Sequence, residues 1–181
     1  MNSLTKKMYL PFLGILFLAF GGCKSAQNNS NSIVSDSMEA KASVSKNQPN
    51  ISALFANSVG YAIFPNVGKG AYVIGAASGN GTVYQNGKLI GYADMKQVDI
   101  GLQIGGKAFI EVMFFQTQEA LDRFKGGNFE LSGDISAVII EEGASKTVDF
   151  QDGVGVITKA KAGAMAGISV GGQKFEYFPT K

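Results

Sequence analysis

The sequence predicts a single α+β domain, built mainly from antiparallel β-sheet with short helices. Three observations support this fold class. Asn86-Gly87 separates two β-like runs, and both residues accept the positive φ angles of a tight hairpin turn. Residues Lys107–Phe115 alternate with the period of a strand and place only apolar side chains on one face. A short helical pattern at Thr117–Phe124 interrupts the strands.

The first 22 residues have the three parts of an export signal. Lys6 and Lys7 form a positive amino-terminal region, and Met8–Phe20 follow without a charge, too short for a helix that crosses a bilayer core of about 30 Å. Gly22 then precedes Cys23, which is the only cysteine. A small residue directly before such a cysteine is typical of bacterial lipoproteins, so we expect Cys23 to be acylated. The alternative is an ordinary secretory signal followed by an incidental buried cysteine.

Acylation of Cys23 would attach the mature protein to a membrane. Each buried acyl methylene contributes about 0.8 kcal/mol, so two or three chains anchor a protein almost permanently. Lys24 favours the outer membrane of a Gram-negative envelope, because an aspartate at that position would suggest retention in the inner membrane. We therefore expect an exported protein whose first partner is the membrane, reached through acylated Cys23.

Residues 23–49 are predicted to be a flexible tether, because they are polar and contain few large apolar residues. A short weak helix over Asp36–Lys46 is the alternative. The predicted domain covers residues 50–181. It begins with an amphipathic helix over Asn50–Val59, capped by Asn50 and ended by Gly60. We expect this helix to pack on the domain, although contact with a membrane is also open.

Pro and Gly divide the following β-like segments. The strand Tyr61–Pro65 is expected to stop at its proline, and Gly79-Asn80-Gly81 is expected to turn Ala71–Ala77 back into Thr82–Gln85. In the one later helix, Thr117 is the predicted N-cap and Gly126-Gly127 the stop. The other predicted strands are Lys88–Ala93, Asp99–Ile104, Lys107–Phe115, Ser136–Ile140, Gly153–Thr158, Ala166–Val170 and Lys174–Phe178.

Composition excludes several kinds of function. The chain has no histidine, which excludes His-based triads, His metal ligands and imidazole proton transfer. With Cys23 acylated, no thiol remains for nucleophilic or redox chemistry. Removal of the signal takes Lys6 and Lys7 from the 16 basic residues and leaves them equal to the 14 acidic ones. A balanced chain does not bind nucleic acid by bulk charge, so we expect no nucleic-acid partner.

Four motifs, in order, resemble the SYLF domain, also named the Ysc84 or Las17-binding domain. They are an AxxFP strand with a basic turn and a Gly-rich strand, a G-x-Q-x-G segment, a strand–helix–strand unit and a closing Gly-rich stretch. In this chain they lie at Ala62–Gly75, Asp99–Gly106, Phe114–Val138 and Ala162–Gly172, and the resemblance runs roughly from Ile51 to Tyr177.

The resemblance to the SYLF family implies lipid binding by a SYLF-like α+β fold. Eukaryotic members bind phosphoinositides, and some bind actin, whereas bacterial members are commonly exported lipoproteins. Actin is not an expected partner of an exported bacterial protein. A basic amphipathic segment before the core supports lipid binding in eukaryotic members, and this chain has only Lys41 and Lys46 there before an uncharged helix.

Four lysines are candidate ligands for a lipid headgroup: Lys69, Lys107, Lys159 and Lys161. Lys69 occupies the basic position of the family motif among glycines that let a phosphate approach the backbone. Lys159 and Lys161 are two residues apart, so a strand places them on one face, where they can act as point charges. The alternative for each is a solvated surface lysine.

The sequence therefore favours a non-enzymatic protein that binds phospholipid or anionic lipid. The alternative is a structural or interaction lipoprotein whose domain binds an envelope protein. We predict no catalytic residue, no metal site and no cofactor. Lys88 lacks the Ser or Thr that follows the lysine of a nucleotide loop. The acidic residues Glu141, Glu142, Asp149 and Asp152 do not have Ca²⁺-loop spacing, and we interpret them as a solvated loop.

A set of phenylalanines is expected to form the core, with an acyl-binding pocket as the alternative. Its members are Phe109, Phe114, Phe115, Phe124 and Phe129. Phe114 lies on the apolar face of the strand Lys107–Phe115, whereas Phe109 and Phe115 lie on its mixed face. Either outcome places these aromatic side chains inside the domain.

Overall fold

The computed structural model describes residues 25–69, 76–98, 108–131, 135, 137–141, 147–161 and 172–180. Within them, three helices are α1 (Ser25–Ser45), α2 (Pro49–Asn57) and α3 (Gln118–Lys125). The strands are β1 (Gly60–Lys69), β2 (Ala76–Gln85), β3 (Lys88–Val98), β4 (Phe109–Phe115), β5 (Phe129–Glu130), β6 (Val138–Ile139), β7 (Val154–Ala160) and β8 (Gln173–Pro179).

All of these strands join one sheet in the order β5-β8-β3-β2-β1-β4-β7-β6. Neighbouring strands are antiparallel except for β6 and β7, which pair in parallel. The predicted α+β class with a mainly antiparallel sheet and short helices is therefore confirmed. The largest departure from the expected lengths is α1, which has 21 residues.

The sheet curls until strands that are distant in its order meet. Three strands separate β8 from β4, yet Gln173 on β8 donates a hydrogen bond to Glu111 on β4 at 2.9 Å. The rings of Phe64 on β1 and Phe175 on β8 lie 5.4 Å apart. The curl encloses an inner core, and the buried side of α3 adds Leu121 and Phe124 to it. Full burial of each such side chain contributes about 1.5–3 kcal/mol.

The outer face of the sheet has a second core, covered by α1 and α2. The helices contribute Ala40 and Val44 from α1 and Ile51 and Phe55 from α2. The strands contribute the alternate residues that point away from the inner core, because successive side chains of a strand face opposite sides. These are Tyr61, Ile63, Ile110, Val112, Phe114 and Ile157. The phenylalanine set is accordingly part of the core, with Phe129 only partly buried.

The flexible tether predicted for residues 23–49 is wrong over Ser25–Ser45, which form α1. This helix buries Ser37, Ala40 and Val44, which recur at helical spacing on its inner side. Their side chains are small, so the helix lies close to the sheet without large apolar residues. A helix with so few large apolar residues has no clear amphipathic pattern in the sequence.

The second helix is confirmed, but both of its ends differ from the prediction, because it stops at Asn57 with Ser58 as the C-cap and Gly60 already belongs to β1. Pro49 is its first residue and Gln48 stands at the N-cap, rather than Asn50. Proline is favoured in the first turn because its missing N–H has no partner to lose there. Ile51 and Phe55 are buried, so the helix packs on the domain as expected.

Two segments that were predicted to end strands, Pro65 and Gly79-Asn80-Gly81, instead lie within them. β1 continues through Pro65, where the pairing register shifts on both sides as in a β-bulge, a position that tolerates a residue without an N–H. β2 runs straight through Gly79-Asn80-Gly81. A Cβ on Gly81 would lie only 2.6 Å from the carbonyl oxygen of Ile63, so glycine is needed there for close packing and not for a turn.

Other local signals are confirmed. Asn86 and Gly87 have φ angles of 50° and 74° and join β2 to β3 as a hairpin. Thr117 caps α3 by accepting a hydrogen bond from the Ala120 N–H at 3.2 Å. β4, β6, β7 and β8 overlap the strands predicted for their segments. The predicted strands Asp99–Ile104 and Ala166–Val170 lie outside the described residues, as do the export signal and Cys23.

Candidate functional site

The structure brings two of the four candidate lysines together. Lys159 lies in β7 and Lys161 follows its end. Both side chains reach to the side on which α1 lies, as their spacing of two predicted. Lys69 ends β1, where its backbone pairs with Ala77, but its side chain lies outside the description. Lys107 also lies outside the described residues.

The two lysines line a groove between α1 and the end of β7. Its volume is about 300 Å³, and its other polar walls are Asp36, Glu39 and Ser43 of α1. Ile110 of β4 lies at its base. The groove therefore holds two ammonium groups on one wall and two carboxylates on the other, and it is open to solvent.

Hydrogen bonds fix the positions of both lysines. The Lys159 ammonium donates to the Ser43 carbonyl oxygen at 2.8 Å and so ties β7 to the last turn of α1. A cation is favourable at a helix carboxyl end, where carbonyl groups have no partner within the helix. The Lys161 ammonium donates to Oδ1 of Asn66, which lies in the bulged part of β1. Each ammonium has three donors, so both retain N–H groups for a ligand in the groove.

A third lysine holds α1 on the sheet from the middle of the helix. The Lys41 ammonium donates to the Tyr61 hydroxyl at 3.0 Å. It also lies 4.7 Å from the ring centroid of Phe55 and 4.8 Å from that of Tyr61, within cation–π distance. Sequence reasoning assigned Lys41 to the tether, and nothing in the local pattern indicated these aromatic partners.

A larger groove, of about 480 Å³, lies on the opposite side of α1. Its walls include Ser30 and Asp36 from α1 and Asn80, Tyr92 and Asp94 from β2 and β3. The Asn80 amide donates to Asp94 Oδ1 at 2.7 Å. Its charged lining residues are acidic, so this groove does not suit a phosphate.

Inside the curl, a polar cluster was missed by sequence reasoning. It consists of Gln97, Glu111, Thr158 and Gln173, each at most 3% exposed. Gln173 Nε2 donates to Glu111 Oε2 at 2.9 Å and to Gln97 Oε1 at 3.3 Å. Burial raises the pKa of Glu111 to about 7, and the hydrogen bond from Gln173 offsets part of that rise.

One sequence signal could have located this cluster. Glu111 is the only acidic residue in a strand whose other members from Phe109 to Phe115 are all apolar. We interpreted its face as mixed and partly covered, but every residue of β4 is buried. The face was misjudged because the curl covers it with β8, which is remote in sequence.

The acidic residues near the carboxyl-terminal half remain at the surface. Glu141, Asp149 and Asp152 are exposed, and Glu142 lies outside the described residues. Within the part of the chain that the structure describes, no three acidic or cysteine side chains are grouped to hold a metal ion. Among the described helices, none combines the length and apolar character needed to cross a bilayer.

The fold and its two polar regions define a small α+β domain with a charged groove on its outer face. Residues 96–177 match the family model of Ysc84, described as a Las17-binding protein actin regulator. This match confirms the resemblance to the SYLF family over one segment of the chain, residues 96–177. This segment contains both groove lysines and the whole inner polar cluster.

A curated relative also matches the chain. It is the beta cell expansion factor A of Aeromonas veronii, which is 27% identical over 130 residues, or 71% of this chain and 49% of the relative. The chain thus spans about half the length of this relative. The matched stretch of the present chain is longer than the family segment.

Proposed function

We propose that this chain is a non-enzymatic phospholipid-binding protein, exported and held on a membrane through acylated Cys23. The SYLF match of residues 96–177 supports a binding role, and the export signal supports the location. The observation that carries lipid binding is the groove beside α1, where Lys159 and Lys161 lie together.

The charges of the groove favour a particular class of headgroup. Two lysines can hold a phosphate as point charges, while Asp36 and Glu39 on the facing wall repel a purely anionic ligand. A headgroup that carries both a phosphate and an ammonium complements both walls. Phosphatidylethanolamine has this chemistry, and its primary ammonium can donate hydrogen bonds to the carboxylates, which the quaternary ammonium of phosphatidylcholine cannot. We therefore propose it as the preferred lipid over phosphatidylcholine and phosphatidylglycerol.

The acyl anchor changes what this binding would accomplish. A protein attached through its own acyl chains does not need its domain to reach a membrane. The lipid in the groove is therefore a ligand, or part of a second membrane opposite the first. Cys23→Ser in the full chain should release the protein from the membrane fraction, and retention there would show that attachment does not depend on the thiol.

The lipid proposal is tested with residues 24–181, which lack both the apolar export signal and the acylated cysteine. Sedimentation with vesicles of phosphatidylcholine alone, or mixed with phosphatidylethanolamine or phosphatidylglycerol, separates the headgroups. We expect the ethanolamine vesicles to bind most of the protein. Lys161→Glu should weaken binding about tenfold, which corresponds to the loss of roughly one charged contact.

Lys88→Glu is the matched control, because Lys88 is exposed in the hairpin and distant in the fold from the groove. It makes the same charge change and should leave binding as it was. Equal weakening by both substitutions would indicate bulk electrostatics rather than a groove. No binding to any of the vesicles would favour the interaction lipoprotein, and crosslinking to one envelope protein would then identify its partner.

A further inference from the structure

The inner polar cluster is assembled from two cross-strand pairs that face each other inside the curl. Gln97 on β3 lies opposite Gln173 on β8, and Glu111 on β4 lies opposite Thr158 on β7. Directly opposed side chains in an antiparallel pair lie about 5 Å apart at Cβ. The hydrogen bond from Gln173 to Glu111 joins the two pairs across the interior.

Three buried oxygen atoms of this cluster have no hydrogen-bond partner within the described part of the chain. They are Glu111 Oε1, Gln173 Oε1 and Thr158 Oγ1. A buried polar atom left without a partner costs about 1–3 kcal/mol, so such atoms are rare unless something else binds them. Three of them on facing strands therefore point to a shared ligand.

The buried carboxyl group of Glu111 indicates that the ligand carries a positive charge. An ionised Glu111 is a buried negative charge, which is costly without a positive partner. The residues that face it are Phe64 on β1, Thr158 on β7, and Gln173 with Gln97 across the curl, and none of these ionises. Lys159 reaches to the outer side and bonds α1. Where Glu111 is ionised, above its pKa of about 7, the compensating charge must therefore come from outside the described residues.

We propose that Glu111, Thr158, Gln173 and Gln97 form a binding site for a monovalent alkali cation inside the curled sheet. Their carboxylate, hydroxyl and amide oxygens are the hard ligands that such ions prefer. A single carboxylate neutralises a monovalent ion, whereas a divalent ion would leave a net buried charge. The site is separate from the outer groove, so it does not depend on the proposed lipid function.

Thermal unfolding of the full chain in detergent tests the site. Sodium, potassium and choline chlorides are compared at equal ionic strength and alkaline pH, because choline screens charge but is too large for the cluster. We expect sodium or potassium to raise Tm by about 2–4 °C over choline, since a ligand that binds only the folded state stabilises it. Glu111→Gln should abolish the difference, and Glu176→Gln, an exposed carboxyl on β8, should preserve it.

A second substitution guards against a misfolded variant. Thr158→Val keeps the side-chain shape and removes one oxygen ligand, so the alkali response should shrink while cooperative unfolding remains. Equal Tm values in the three salts for the unaltered protein would overturn the proposal. An undiminished response in Glu111→Gln would do the same, and a larger response to calcium than to either alkali ion would overturn the monovalent assignment.

Discussion

The two faces of the curled sheet accommodate polar groups in opposite ways. On the outer face, the charges of Asp36, Lys159 and Lys161 line an open groove and keep contact with solvent. On the inner face, Glu111 is fully buried and its neighbours are neutral. An open groove can exchange ligands at low cost, whereas the closed interior makes every unpaired atom expensive. The outer groove is therefore suited to a ligand that exchanges with solvent, whereas a ligand of the inner cluster would change the stability of the fold.

The faces also differ in how firmly they are packed. The inner core is closed by large aromatic side chains, and the ring centroid of Phe124 of α3 lies 5.0–5.7 Å from those of Phe115, Phe129 and Phe175. The outer core is covered by α1 largely through small residues, and the buried hydroxyl of Ser37 in this region lacks a partner among the described residues. We therefore expect the inner core to dominate stability and α1 to open more easily.

The largest predicted effect comes from breaking the inner core. Phe124→Ala should destabilise the protein by about 3–5 kcal/mol, because it removes a fully buried ring and leaves a cavity between α3 and the sheet. Denaturant unfolding followed by circular dichroism measures this free energy. The exposed neighbour substitution Arg123→Ala on the same helix is the control. If Phe124→Ala lowers the free energy of unfolding by less than Arg123→Ala does, the curl of the sheet does not depend on α3.

The next effect is the pH dependence that Glu111 gives to stability. Its pKa is about 7 in the folded protein against 4.5 for the ordinary carboxyl, so the folded state binds the proton more tightly. The contribution of Glu111 to the free energy of unfolding is fully present below pH 4.5 and decreases between pH 4.5 and about 7. Above that interval the free energy of unfolding no longer changes with the titration of this group. At about 1.4 kcal/mol per pH unit, the loss is about 3 kcal/mol.

Glu111→Gln should remove this dependence. The variant has no proton to release, so its free energy of unfolding should stay nearly level across the interval where that of the unaltered protein falls. Denaturant unfolding in choline chloride at several pH values makes the comparison without an alkali ion. Glu176→Gln should retain the original slope. A parallel slope in Glu111→Gln would place the linked proton on another group.

Sequence patterns predicted the parts of this fold that depend on neighbours in the chain. The Asn86-Gly87 hairpin and the Thr117 cap each require only a few adjacent residues, and both are confirmed. Gly81 failed as a turn signal because its role is set by the carbonyl of Ile63 on another strand. Glu111 was misjudged for the same reason, since its burial depends on β8, some sixty residues later.

In the candidate site, too, the features set by neighbouring residues could be predicted and those set by distant residues could not. The spacing of Lys159 and Lys161 was sufficient to place them on one face, because a strand has a period of two. The carboxylates opposite them could not be predicted, since α1 was assigned to a tether and its contact with the sheet relies on small residues. Long-range packing of a weakly amphipathic helix leaves little trace in local sequence.

The smallest predicted effect tests the hold of α1 on the outer face. Lys41→Met keeps the apolar stem but removes the ammonium that bonds Tyr61 and lies over the Phe55 ring. Cation–π contacts of this kind contribute about 0.5–1 kcal/mol at partly exposed positions. We expect faster amide hydrogen exchange across α1 with little change in the global free energy of unfolding.

The experiment compares amide hydrogen exchange in α1 with exchange in β4, and it needs a control for the change of charge. Lys46→Met, at an exposed position just after the helix, changes the same charge without those ring contacts and should leave exchange in α1 unaltered. If Lys41→Met speeds exchange equally in α1 and in β4, the two faces unfold as one unit and α1 belongs to the stable core. If only α1 responds, the outer groove can open and close over a lipid headgroup while the inner cluster stays sealed, because local opening needs less free energy than global unfolding.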